Sequence, residues 1–106
     1  MTPLRGEVWL FDLGMVEKVR LDLAVSAAFG DLDRALVTIV PHTTSLRGSQ
    51  HEIAVPVPFL KQGAFLVQNV ATYPVVRAIR KLGGLKREHF DAVSAGLLRW
   101  LGFAAS

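Results

Sequence analysis

The chain has 106 residues, which suits one domain spanning residues 1–106 and leaves no room for a second core. Hydrophobic residues make up 51% of it and charged residues 20%, which excludes a disordered chain, and the lack of cysteine excludes a disulfide scaffold or a thiolate metal site. The net charge of +3 is unevenly held, with five Arg and Lys against seven Asp and Glu in residues 1–53, and seven against two in residues 54–106.

In chain order, Glu7–Asp12 is β-branched and aromatic and follows a turn-like stretch at Pro3–Gly6, so it reads as a strand covered on both faces. Leu21–Ser26 reads as a second short strand. Arg34–Val40 is the strongest strand pattern, and Pro41, which has no backbone donor, is expected to end it or to mark an edge. The polar stretch Thr43–Gln50 with Gly48 predicts a loop or hairpin turn. Glu52–Val55 is a short strand closed by Pro56 and Pro58, and Ala64–Thr72 is another. Val76–Leu82 alternates with basic residues on both sides, as in a partly exposed strand, and Gly83-Gly84 is expected to break it. Phe90, Val93, Leu97 and Leu101 form one apolar helical stripe, with Gly102 where a C-terminal cap belongs and no good N-terminal cap at Leu85 or Lys86. The pattern is mainly β with a C-terminal helix, folding as a small antiparallel barrel or half-open sheet.

An apolar fraction this high in so short a chain points to a homodimer interface. The basic second half suits an anionic partner such as RNA or an acidic peptide, and equally a solvated surface. No N-terminal stretch has the pattern of a signal peptide, and no apolar run nears the ~20 residues that span a bilayer. A cytoplasmic protein with no membrane partner is therefore expected.

Several familiar sites are missing: there is no Gly-rich phosphate loop, no Gly-x-Ser-x-Gly elbow and no His-Glu-x-x-His. His42 and His51 flank the polar loop and could face each other with Glu52 nearby, but a third metal ligand is hard to name, so no metal or other cofactor is expected. The informative stretch is Val40-Pro41-His42-Thr43-Thr44-Ser45-Leu46-Arg47-Gly48. Three consecutive hydroxyl residues and an arginine after a strand offer donors to a phosphate, or else a hairpin turn rich in side-chain-to-backbone bonds. Arg20, alone before an apolar strand, can pair with Glu17 or Asp22 or reach a ligand.

These pieces together resemble the MazF/PemK family of toxins. The resemblance runs in order through Arg5-Gly6-Glu7-Val8-Trp9 with Asp12, the arginine before the second strand, Val40-Pro41-His42-Thr43-Thr44 with Arg47-Gly48, Gln68-Asn69-Val70, and Arg80-Lys81-Leu82-Gly83 leading into the helix. It implies an SH3-like barrel of the MazF/CcdB toxin type, paired as a homodimer. It further implies the toxin half of a type II toxin–antitoxin system, a metal-independent endoribonuclease (mRNA interferase) with single-stranded RNA as substrate and a cognate antitoxin as partner. By motif position it implies Arg20 and Thr43 as catalytic residues. His42, beside Thr43 and with an ordinary imidazole pKa near neutrality, is an alternative proton carrier or else a packing residue. Lys18, Thr44, Arg47 and Asn69 are then the candidates for lining the RNA groove. Where the family often has Pro after the arginine this chain has Leu21 and Asp22, and Asp22 is placed to neutralise Arg20. Two other readings stay open: a non-nuclease poison of the same fold, like the gyrase inhibitor CcdB, and a catalytically inactive relative that binds RNA or antitoxin.

Overall fold

A computed structural model describes residues 2–14 and 19–103. The elements are β1 (Glu7–Asp12), β2 (Val19–Ala24), β3 (Leu36–Thr43), β4 (Glu52–Ile53), β5 (Ala64–Leu66), β6 (Ala71–Pro74), β7 (Ala78–Gly84) and α1 (Arg87–Trp100). All strand pairs are antiparallel, in the order β4-β5-β3-β2-β1-β7, with β6 also paired to β3. Among the described residues β4 and β7 do not pair with each other, so of the expected barrel or half-open sheet the protein takes the open form, mainly antiparallel with one C-terminal helix.

Side chains alternate across a strand, and both faces of the central strands are covered. Val8, Leu23 and Val40 point to one side, where they pack with Phe65, Val67 and Val93 of the helix. Trp9, Phe11, Ala24, Val37 and Ile39 point to the other, with Leu13 beside them and Tyr73, Val75 and Ala78 closing over. Each fully buried Phe, Leu, Ile or Val contributes about 1.5–3 kcal/mol, and Phe11, Phe65, Leu23 and Ile39 are all in that class. The two clusters thus turn β1, β2 and β3 into a rigid wall with a distinct surface on each side.

Three expectations fail for a non-local reason. β3 runs through Pro41 to Thr43 instead of ending there. Val25 N–H donates to Thr38 O at 2.9 Å, so alternate pairs along the β2–β3 ladder, Leu23–Val40 among them, carry the hydrogen bonds. Asp22–Pro41 falls between them, and the proline nitrogen points away from β2 into the gap between the β6 and β5 pairings, where no donor is needed. The predicted strand at Ala64–Thr72 is split, because β3 pairs with β5 at one end and β6 at the other, and a single 3-10 turn at Val67–Asn69 makes the transfer. Finally, Gly83-Gly84 continues β7 instead of breaking it. The Phe59 ring lies where a Cβ on Gly83 would stand, 2.7 Å from Phe59 Cε2, so the strand keeps its course and the missing side chain makes room for an aromatic one.

The helix is close to expectation. Val93 is buried and Phe90 and Leu97 are half-buried, although Leu101 is 48% exposed and leaves the stripe. Gly102 has φ +83 and its N–H donates to Arg99 O, while Phe103 N–H donates to Leu98 O. This paired bonding is a Schellman cap, which a glycine in the left-handed region permits. Lys86 at the N-terminus offers no side-chain cap. No helix among the described residues is long and apolar enough to cross a membrane.

Candidate nucleic-acid interface

The site is built on the ladder between β2 and β3. Asp22 pairs with Pro41, Leu23 with Val40 and Ala24 with Ile39. Carried two positions further, that register sets Arg20 level with Thr43. Arg20 is also opposite Phe11 of β1, which is in turn opposite Ala78 of β7. By alternation Arg20, Asp22, Pro41 and Thr43 belong to the face that carries Trp9, Phe11 and Ile39. The two residues singled out by motif thus lie on neighbouring strands, two positions beyond the last paired residues Asp22 and Pro41, and by alternation on the same face.

Arg20 Nε donates to Asp22 Oδ1 at 3.1 Å, and its side chain is 24% exposed against 0% for Asp22. Of the two partners open to Arg20, Asp22 is the one observed; Glu17 lies outside the described residues, as does Lys18. Asp22 Oδ2 has no hydrogen-bond partner among the described residues. Burial raises the Asp22 carboxyl to about 6 against the pull of the Arg20 guanidinium in the other direction.

Thr43 Oγ1 accepts a hydrogen bond from Ser45 N–H at 3.0 Å. This short turn fixes the hydroxyl oxygen and leaves its hydrogen to donate elsewhere. The loop after it is held by Glu52, whose carboxylate accepts from the backbone N–H groups of Arg47, Gly48 and Ser49 at 2.9 to 3.2 Å. Those bonds, chiefly the one from Arg47, outweigh desolvation and hold the Glu52 carboxyl below its usual range. Thr44 and Arg47 are exposed along this loop. Asn69 is exposed on the 3-10 turn that runs past the Val40–Pro41 stretch of β3.

His42 is not with the others. It is on the opposite face from Thr43, in a T-shaped contact with Phe65 at 5.0 Å between ring centroids, and burial holds its pKa below the usual imidazole value. There it lines a groove of about 600 Å³ with Leu46, Val55, Val57, Leu60 and Gly63. His51 packs on Trp100 instead, so the two histidines go to different aromatic partners. Among the described residues no three His, Asp or Glu side chains are grouped as metal ligands. Gly63 governs the join between the two faces. A Cβ there would collide with the Thr43 carbonyl oxygen and come within 2.9 Å of His42 Cε1.

One cation at the Arg20 end was not anticipated from the sequence. Arg77 precedes Ala78 at the end of a 3-10 turn, and its Nη1 lies 3.0 Å from where a Cβ on Gly14 would stand. The guanidinium therefore lies against the start of the β1–β2 connection that leads to Arg20. The sequence placed it in a strand with alternating basic residues, and only the pairing of β7 with β1 shows where it goes. Lys81, by contrast, is tied to Glu7 at 2.8 Å, and Arg5 lies over the Phe90 ring at 4.6 Å.

An open antiparallel sheet with one terminal helix, with an arginine and a held hydroxyl on neighbouring strands, defines a small β-rich protein. Residues 4–101 match the PemK-like, MazF-like toxins of type II toxin–antitoxin systems, and the chain belongs to that family. Among solved structures it is similar to an endoribonuclease in complex with its cognate antitoxin from a mycobacterial species, at 25% identity and a TM-score of 0.83, over 98% of this chain and 99% of that one. It shares its fold with the MazE–MazF complex of Deinococcus radiodurans (20% identity, TM-score 0.82, 98% and 99% covered). The same holds for the Mycobacterium tuberculosis toxin MazF-mt6 (24% identity, TM-score 0.76, 93% and 99% covered). No curated protein sequence matches significantly.

Proposed function

We propose that this toxin is a metal-independent, sequence-selective endoribonuclease that cuts single-stranded RNA, acts in the cytoplasm as a homodimer and is held inactive by a cognate antitoxin. The observation that carries the reading is the register of β2 and β3, which, extended past Asp22–Pro41, aligns Arg20 with Thr43 on one face. RNA carries its own nucleophile, so the protein needs to hold the 2′-hydroxyl in line and stabilise charge on the phosphate. As the O2′–P bond forms and the P–O5′ bond breaks, a 2′,3′-cyclic phosphate and a free 5′-hydroxyl result. The Arg20 guanidinium faces the non-bridging oxygens, and the Thr43 hydroxyl, its oxygen fixed by Ser45, donates to one of them. Thr44, Arg47 and Asn69 are exposed and able to contact flanking nucleotides, and Arg77 adds a cation beside the β1–β2 connection.

The test is incubation of the purified protein with long single-stranded RNA in EDTA, with the fragment ends mapped. Cuts at a short recurring sequence with cyclic phosphate ends are the expected result. One observation favours a second reading, the catalytically inactive relative: Asp22 offsets the charge of Arg20. Binding of the same RNA without cutting would select it.

A further inference from the structure

Asp22 has no part in the chemistry proposed above, yet its setting is unlike that of its neighbours. It is fully buried, and it stands on the face that carries the buried apolar residues Trp9, Phe11, Ala24, Val37 and Ile39. The register seats it between Trp9 of β1 and Pro41 of β3. An apolar residue would suit this place better, because burying a carboxylate is costly and packing alone does not require it. Among the described residues its one hydrogen bond is the one from Arg20 Nε, at 3.1 Å.

We infer that Asp22 is a positioning residue for Arg20: by taking the Nε–H it fixes the guanidinium plane and leaves both Nη groups free at the edge that carries Thr43. This inference rests on the nuclease reading and adds a residue to it. A guanidinium has five N–H donors in a rigid fork, and a bond to Nε alone uses one of them. The four that remain suit two oxygens of one phosphate. Because Asp22 has no exposed surface it does not touch RNA itself. A carboxylate that only cancelled the charge of Arg20 would weaken phosphate binding and slow cleavage, and its removal would then raise activity. A carboxylate that holds the fork in place gives the opposite sign.

The groups around Asp22 make its titration separable. Beside Arg20 on its own strand, β1 presents Trp9, whose indole N–H is held by Glu7, itself bridged to Lys81. β3 presents Pro41 and then Thr43, while His42 is on the opposite face.

The experiment compares wild type with Asp22→Asn and Asp22→Ala by kcat and KM on a defined single-stranded RNA between pH 5 and 8, alongside the Arg20 Nε–H resonance of nitrogen-15-labelled protein. Both variants are expected to hold KM within about twofold; Asp22→Ala, with no acceptor, should lose about tenfold or more in kcat, and Asp22→Asn, whose neutral amide oxygen accepts the Nε–H more weakly, should lose a smaller but measurable share. Wild-type kcat should fall as the pH drops below about 6, where Asp22 takes a proton, and the Asp22→Asn profile should lack that limb. The Nε–H signal should be distinct and slowly exchanging in wild type and averaged in Asp22→Ala. Unchanged or increased kcat in Asp22→Asn overturns the inference. If wild-type protein cuts no RNA the nuclease reading fails instead, and the Nε–H resonance still decides whether Asp22 holds Arg20. Should Asp22→Ala fail to fold, Asp22→Asn carries the test.

Discussion

The two faces of the β2–β3 wall invite opposite conclusions. One has the groove of about 600 Å³, apolar and lined by His42, the side chain most often suspected of moving protons at neutral pH. The other carries an arginine, a threonine and a buried carboxylate at the edge of an aromatic cluster. Size favours the first face and chemistry the second. For a protein that acts on a polymer, the second matters more, because RNA lies across a surface and needs donors at phosphate height. A small-molecule enzyme would reverse that choice.

The largest expected effect separates the faces directly. Arg20→Ala should keep the fold and lower kcat by about 10²-fold or more, the usual cost of removing a preorganised donor to a developing oxyanion. Unchanged cleavage would shift the site to the groove. Next comes Gly63→Val, at the seam between the faces. Its side chain meets the Thr43 carbonyl and the His42 ring, neither of which can move without disturbing β3. A loss of about 3 kcal/mol in denaturant unfolding is expected, as for severe overpacking.

The seam also shows how far the sequence could be read. β1 is legible residue for residue, because its aromatic and β-branched run is local information. The helix is legible through Phe90, Val93 and Leu97, and its end through Gly102. What could not be read is whatever depends on a distant partner: β3 passing through Pro41, β5 giving way to β6, and β7 keeping Gly83 under Phe59. The candidate site divides in the same way. Arg20 and Thr43 stand out by motif, but that they share a face follows only from the register, and the same register takes His42 away. Asp22 was legible as a partner for Arg20 and illegible as a buried one, since nothing local shows that Trp9 and Pro41 enclose it.

Stability against pH sharpens the contrast, because the faces titrate in opposite directions. Burial raises Asp22 from 3.8 to about 6, so its favourable contribution is complete below pH 4 and lost as the pH rises through 6. Asp22→Asn should therefore be more stable than wild type at pH 7.5, by about 3 kcal/mol, and the gap should close below pH 4. Equal stability at both pH values would mean that the carboxyl is not desolvated. A smaller effect is expected from Thr43→Val, which keeps shape and loses one hydrogen bond to the phosphate. About a tenfold fall in kcat, with RNA binding less affected, fits the worth of one such bond.

The smallest effect belongs to His42, and its smallness is the point. Because the imidazole packs on Phe65, away from Arg20 and Thr43, removing it should take nothing from the reacting phosphate. His42→Gln is expected to change kcat by less than about twofold, well below the 10²-fold or more that loss of a general acid or base costs. Its mark should appear in stability instead. With its pKa lowered by burial, His42 in the folded state resists protonation, so its contribution is present above the unfolded value of 6.5 and lost as the pH falls through its folded value. Replacing it should flatten the acid limb of the unfolding curve while leaving cleavage intact. A kcat profile that instead lost its limb near neutrality would make His42 the proton carrier after all, and the groove, not the arginine edge, would be where RNA is cut.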